Sequence, residues 1–197
     1  TRLFEPLDMK DTAFFVPSEK QSRLAQLYKP AGLTELNFMA PTTGKGLEVA
    51  DAYISAGFLA PPAFESGGAG LVSTARDYLR FAQMMLNGGE LDGVRILSPK
   101  TVQLMTSNHL GDLPMGWGGK GLGFGLGFGL VLEPEITGEV SSAGEFNWGG
   151  AAGTRFWVDP EENLIGIFMV QSIPHRTRLA GDFKVLVYSA MTQSQAD

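Results

Sequence analysis

The order of signals along the chain predicts an α+β fold, an antiparallel β-sheet flanked by helices. Two observations carry that expectation. Between residues 121 and 170, strand-like apolar runs follow one another, and helical stripes lie before and after them. Strands in succession with helices at either end bury their apolar faces by laying the helices against the sheet.

Taken in order, Ser18-Glu19-Lys20-Gln21 reads as a capping box opening a helix with Leu24, Leu27 and Tyr28 among its apolar positions. Residues 29 to 72 read as an irregular excursion, with Pro30, Pro41, Pro61, Pro62 and many glycines. A loop of that length inside a compact domain is a functional segment or a disordered one. Thr74 to Asp77 caps the next helix, whose Tyr78, Leu79, Ala82, Met85 and Leu86 share a face before Gly88 ends it. Ser98-Pro99 starts another, with Leu97 and Val102 spaced as a hydrophobic staple. Gly121 to Leu132 alternates, leucines and phenylalanines against glycines, and predicts one strand with a bare face. Leu179, Phe183, Leu186, Val187, Ala190 and Met191 form a closing helical stripe.

The most informative stretch is Ser141 to Gln171. Trp148-Gly149-Gly150-Ala151 sets two consecutive glycines inside an apolar run. Glycine weakens a strand and packs nothing, so its presence there marks a close approach by a ligand or another backbone. The run continues through Phe156-Trp157-Val158, breaks at Asp159-Pro160-Glu161-Glu162-Asn163, and resumes from Leu164 to Val170. Two apolar runs around such a cluster predict a hairpin, since those residues set turn dihedrals.

Composition narrows the function classes. The chain is 44% hydrophobic and 18% charged, enough for one core, and length alone allows one or two domains. A formal net charge of −6 argues against nucleic acid or an anionic membrane, both of which want a basic face. No apolar run approaches the ~20 residues of a membrane span. Zero cysteines exclude disulfides and thiolate chemistry and leave the compartment, cytoplasmic or periplasmic, open.

Other motifs favour plain structural readings. Gly116 to Gly121 matches a dinucleotide-binding pattern, but no helix follows it, and phosphate binding needs that helix N-terminus. His109 and His175 are the only histidines and have no carboxylate or cysteine at ligand spacing, so both read as surface residues and no metal site is predicted. Glu161-Glu162 reads as a solvated turn. No Gly-x-Ser-x-Gly elbow occurs.

Four segments in register resemble the C-terminal half of the β-lactamase-like serine hydrolases, the family of class C β-lactamases, D-Ala-D-Ala peptidases and family VIII carboxylesterases. They are Phe4 to Thr12, Gly67 to Asp77, Gly123 to Phe128, and Trp148-Gly149-Gly150. The resemblance implies a partial β-lactamase/transpeptidase-like fold over residues 1–197, as one portion of a single domain. In that family the nucleophile lies in a Ser-x-x-Lys motif and a Tyr-x-Asn or Tyr-x-Ser motif supplies a second base or acid. Both would lie upstream of the segment found here at residues 5 to 9. No Ser-x-x-Lys stands in a plausible helical setting, Ser18 and Ser98 included, and only Tyr53-Ile54-Ser55 matches the second pattern, in a Gly/Pro-rich loop. The chain therefore reads as a truncated or processed piece.

By the same resemblance, Trp148, Gly149 and Gly150 occupy the strand motif beside the nucleophile and Ala151 supplies a backbone N–H to the oxyanion hole. Relatives carry Lys/His-Thr/Ser-Gly there. Trp-Gly removes the cation and hydroxyl that would hold a substrate carboxylate, and an indole cannot replace a charge-assisted hydrogen bond. The motif is similar to that of family VIII esterases, which act on short-acyl esters. Asp8 stands where the family commonly has Gly, and Asp tolerates left-handed backbone better than most residues. The expectation is a serine carboxylesterase working through an acyl-enzyme on a small ester or amide, without cofactor. Phe58, Phe64 and the glycines of residues 57 to 68 are expected at the rim. The alternatives are a β-lactamase or D-Ala-D-Ala peptidase, and a non-catalytic fragment that self-associates or binds an N-terminal half.

Overall fold

The computed structural model describes residues 2–33, 46–50, 57–116, 119–175 and 177–195. Its centre is a five-stranded antiparallel meander: β5 (Leu122–Phe124), β6 (Gly129–Val131), β7 (Phe146–Gly149), β8 (Arg155–Asp159) and β9 (Leu164–Phe168), neighbours in sequence being neighbours in space. Two small pairs precede it, β1 (Tyr28–Pro30) with β2 (Leu47–Val49) and β3 (Glu90–Leu91) with β4 (Val94–Arg95). The helices are α1 (Ala75–Leu86), α2 (Pro99–Met105), α3 (Pro134–Thr137) and α4 (Leu179–Ser189). The expected antiparallel sheet flanked by helices is present.

Helix α1 starts where the sequence predicts. The Thr74 hydroxyl accepts the Asp77 N–H, and Gly88 beyond the C-terminus takes φ +70°. Asp77 itself is buried and accepts the Asp11 N–H (2.7 Å) and the Thr12 hydroxyl (2.9 Å), which ties the early segment to the helix. Asp8 in that segment has φ +54°, the left-handed conformation expected of it. Ala82, Met84 and Met85 face a core that includes Leu7, Phe128, Leu130, Phe146, Phe156 and Val158. Leu79, assigned to that face by its spacing, is exposed instead. Ser98 caps α2 by accepting the Thr101 N–H, with Pro99 at the first turn and Leu97 and Val102 both against the core.

Three expectations are corrected. Ser18–Arg23 is a 3₁₀ helix capped by no side chain; Ser18 lies inside it, and Tyr28 belongs to β1. Gly121 to Leu132 is a hairpin of β5 and β6, not one strand: Leu122 pairs with Val131 and Phe124 with Gly129. Alternating glycine satisfies strand and turn alike, and Gly127 at φ +95° lets the chain reverse. The residues of α4 facing the sheet include buried Ala180 and Lys184, while Leu179, Phe183 and Leu186 of the expected stripe are exposed.

The opposite face of the sheet carries Trp157, whose ring lies across Gly166 so closely that a Cβ there would sit 2.1 Å from the indole. Phe183 of α4 meets Trp157 edge-on at 6.0 Å between ring centroids. The β8–β9 hairpin turns at Asp159 to Asn163 as expected, with the Asp159 carboxylate accepting the Glu161 and Glu162 N–H groups and Asn163 at φ +51°. Among the described residues no helix is long and apolar enough to cross a membrane.

Candidate functional site

Strand β7 presents alternate residues to the two faces. Phe146 is in the core and Trp148 packs against it from the same side, with its indole meeting Phe124 edge-on at 5.0 Å and 80°. Along β8 the pairing runs to the end, Trp148 opposite Phe156 and Gly149 opposite Arg155. On the β6 side it stops at Gly129 opposite Asn147. Among the described residues the β6 register thus ends one residue before Trp148, while the β8 register continues to Gly149.

Beyond Gly149 the chain turns. The Gly150 N–H donates to the Thr154 carbonyl (2.8 Å), and the Gly153 N–H donates back to the Gly150 carbonyl (2.9 Å). Gly149, Gly150 and Ala151 are exposed. Among the described residues nothing accepts the Ala151 N–H. Among the described residues, a Cβ at Gly149 would meet the Thr154 carbonyl oxygen at 3.4 Å and Arg155 Cγ at 3.8 Å, ordinary contacts without a clash, whereas one at Gly150 would meet Thr154 Oγ1 at 3.0 Å. Trp148 to Ala151 thus run from a half-buried indole packed on the core to three exposed backbone positions, the last with its N–H unaccepted among the described residues.

The other sequence candidates are placed as follows. Phe64 stands exposed, and its loop is held to the first part of the chain by Val16 N–H donating to the Phe58 carbonyl (2.7 Å) and Gln21 Nε2 donating to the Leu59 carbonyl (2.9 Å). Gly116 to Gly121 leads into β5, not a helix, and its Trp117 and Gly118 lie outside the described residues, as does Tyr53-Ile54-Ser55. His109 is exposed, with Nε2 2.8 Å from the Leu104 carbonyl. His175 is not the free surface residue expected: its Nδ1 is buried without a partner, and the ring lies against Gly153. No group of three or more His, Asp or Glu converges among the described residues.

A polar cluster missed in the sequence lies on the face of β7 opposite Trp148. Glu145 and Asp159 are fully buried and Lys184 nearly so. Lys184 Nζ donates to Glu145 Oε1 (2.8 Å); the Tyr188 hydroxyl lies 2.6 Å from Asp159 Oδ2 and 3.2 Å from Glu145 Oε2. Asn147 Nδ2 reaches Glu145 Oε1 at 3.3 Å. Burial raises the Glu145 carboxyl above its ordinary range, opposed by the Lys184 charge and by the Lys184 and Tyr188 hydrogen bonds. Burial also raises the Tyr188 phenol, with the hydrogen bond to Asp159 and both carboxylate charges adding to it. The signal was the register: Glu145, Asn147 and Gly149 alternate with Phe146 and Trp148.

The Beta-lactamase family model matches residues 1–187. Protein Rv1367c of Mycobacterium tuberculosis (strain ATCC 25618 / H37Rv) is 35% identical over 187 residues, 88% of this chain and 42% of that protein. The chain thus spans less than half the length of that relative. Among solved structures, EstCE1, described as a hydrolase with promiscuous acyltransferase activity, superposes with a TM-score of 0.73 at 22% identity, over 95% of this chain and 49% of the other. Simvastatin synthase (LovD) from Aspergillus terreus superposes at 0.72 with 20% identity, over 98% and 50%. With the meander, α1 and the β7 strand in place and the family model spanning nearly its whole length, the chain belongs to the Beta-lactamase family.

Proposed function

We propose that this chain is the oxyanion-strand portion of a serine carboxylesterase that handles short-acyl esters through an acyl-enzyme. The observation that carries the reading is the N–H of exposed Ala151, unaccepted among the described residues in the turn after β7, beside an indole in place of a cation. A donor of this kind, aimed at the oxygen that becomes negative in the tetrahedral intermediate, is worth ~100- to 1,000-fold in rate. It needs no side chain, so alanine serves. Trp148 and Gly149 supply no charge or hydroxyl for a substrate carboxylate, which favours neutral acyl groups over β-lactams and peptide C-termini. EstCE1, which shares the fold, is described as a hydrolase with promiscuous acyltransferase activity.

In this reading the attacking serine and its bases come from the rest of the protein. The serine adds to the ester carbonyl, the oxyanion rests on Ala151 N–H, the alcohol leaves with a proton, and water releases the acid. Two measurements test it. The complete protein is expected to hydrolyse p-nitrophenyl butyrate far faster than nitrocefin; the opposite preference would return the site to β-lactam chemistry. The 197-residue chain alone is expected to take no fluorophosphonate adduct by intact mass, and an adduct on one of its serines would place the nucleophile here.

A further inference from the structure

The turn that carries Ala151 is held from behind by a short strap, residues 171 to 175. The strap's backbone bonds to two sides. Toward β1, the Tyr28 N–H donates to the Gln171 carbonyl (2.9 Å) and the Ile173 N–H donates to the Tyr28 carbonyl (2.8 Å). Toward the turn, the Ser172 N–H donates to the Ala152 carbonyl (2.9 Å) and the His175 N–H donates to the Ala151 carbonyl (3.1 Å). With the Gly153 N–H on the Gly150 carbonyl, the carbonyls of Gly150, Ala151 and Ala152 each accept a backbone N–H in succession. The Ala151 N–H is left outside this set.

The His175 ring completes the arrangement. Gly153 has φ +94°, and a Cβ there would lie 2.4 Å from His175 Cγ, 2.6 Å from its Nδ1 and 2.5 Å from Val170 Cγ1. The imidazole therefore occupies the volume a side chain would need and presses directly on the turn. Its Nε2 is 3.0 Å from the Thr177 hydroxyl, while its Nδ1 is buried with no hydrogen bond. A buried, unpaired ring nitrogen costs stability, and such groups call for a reason.

We infer that His175 is a positioning residue for the Ala151 amide: its ring, wedged against Gly153, and its strap fix the Gly150–Gly153 turn so that this N–H stays aimed at the bound acyl oxygen. The inference rests on the esterase reading for its catalytic consequence and on the geometry alone for its structural one. A misplacement of about 1 Å at a reacting centre costs about 100-fold in rate, so a loosened turn is felt in kcat more than in binding.

The test uses the complete protein with His175→Ala and His175→Phe. His175→Ala is expected to lower kcat for p-nitrophenyl butyrate by about 10- to 100-fold with KM within about twofold, and His175→Phe, which restores ring volume without nitrogen, to recover most of it. Equal kcat in all three proteins, or a loss in His175→Ala that Phe does not repair, overturns the packing role. Amide hydrogen exchange separates this from the esterase reading. In His175→Ala the Gly153 N–H is expected to exchange about tenfold faster, while the Val158 and Gly166 amides of the sheet report an intact fold. If wild type shows no ester turnover, the esterase reading fails and the exchange result still decides whether His175 holds the turn; unchanged Gly153 exchange overturns that too.

Discussion

At Trp148 and Gly149 the chain offers an indole and a bare backbone where a charge-binding member of the fold would need a cation and a hydroxyl. Trp148 is anchored by its edge-on contact with Phe124, and among the described residues a Cβ at Gly149 would come no nearer than 3.4 Å, to the Thr154 carbonyl oxygen. Replacing the pair by Lys and Thr would put an ammonium against apolar rings, which is unfavourable without a partner, and fill the bare position. In the complete protein, Trp148→Lys with Gly149→Thr is expected to lower kcat/KM for short-acyl esters at least ~10-fold, or ~1.4 kcal/mol of transition-state stabilisation. Unchanged ester kinetics would remove both residues from the pocket. These two were legible from the consecutive glycines Gly149-Gly150, of which only Gly149 lies in β7 and Gly150 in the turn. His175 was not, because its partner Gly153 lies far back along the chain and only folding brings the ring to the turn.

The strands differ in how far the sequence revealed them. The β8–β9 hairpin was legible because Asp159 to Asn163 imposes turn dihedrals between two apolar runs. The β5–β6 hairpin was hidden because Gly-Leu-Gly-Phe repeats keep strand period through the turn. In α4 the apolar residues suggested the packed face, yet Ala180 and Lys184 are the buried ones. Lys184 is there to meet Glu145, and that ion pair holds α4 to β7. Removing one partner from a buried pair leaves a bare charge, so Lys184→Met is expected to cost about 3–5 kcal/mol near neutral pH, most of it recovered in the Glu145→Gln/Lys184→Met double variant. The pH dependence has a definite sign. Glu145 holds its proton more tightly in the fold than in the unfolded chain, where it titrates near 4.5. Its contribution is therefore full below that pH and is lost as pH rises through the folded value. Glu145→Gln should lack this decline, and the Lys184→Met penalty should shrink toward pH 4.5. Urea unfolding of the four proteins across that range measures both; parallel pH profiles for wild type and Glu145→Gln would show that Glu145 does not titrate in the window.

Seen whole, the chain has one finished side and one open side. Helix α1 covers the core face of the sheet, whereas on the other face α4 leaves Leu179, Val185 and Leu186 exposed, the last at 68%, with Met169 beside the end of β9 at 44%. Among the described residues β9 is an edge of the five-stranded order, bonded to β8 alone. An unpaired edge offers its backbone N–H and C=O groups to any extended segment, and exposed apolar side chains favour cover by another chain. The match covers 42% of the length of its Mycobacterium tuberculosis relative. We therefore expect the 197-residue chain, prepared alone, to dimerise, to exchange elements, or to retain an N-terminal half from the same protein through β9 and the outer face of α4. Light scattering on material whose mass spectrum shows only this chain measures it. A substitution should separate the two surfaces: Leu186→Lys on α4 weakens association driven by the helix face, and Ile167→Pro, which removes a backbone donor from β9, weakens association driven by the edge. A clean monomer of 21.1 kDa would defeat the expectation and show that this half folds as an autonomous unit, its exposed leucines simply solvated.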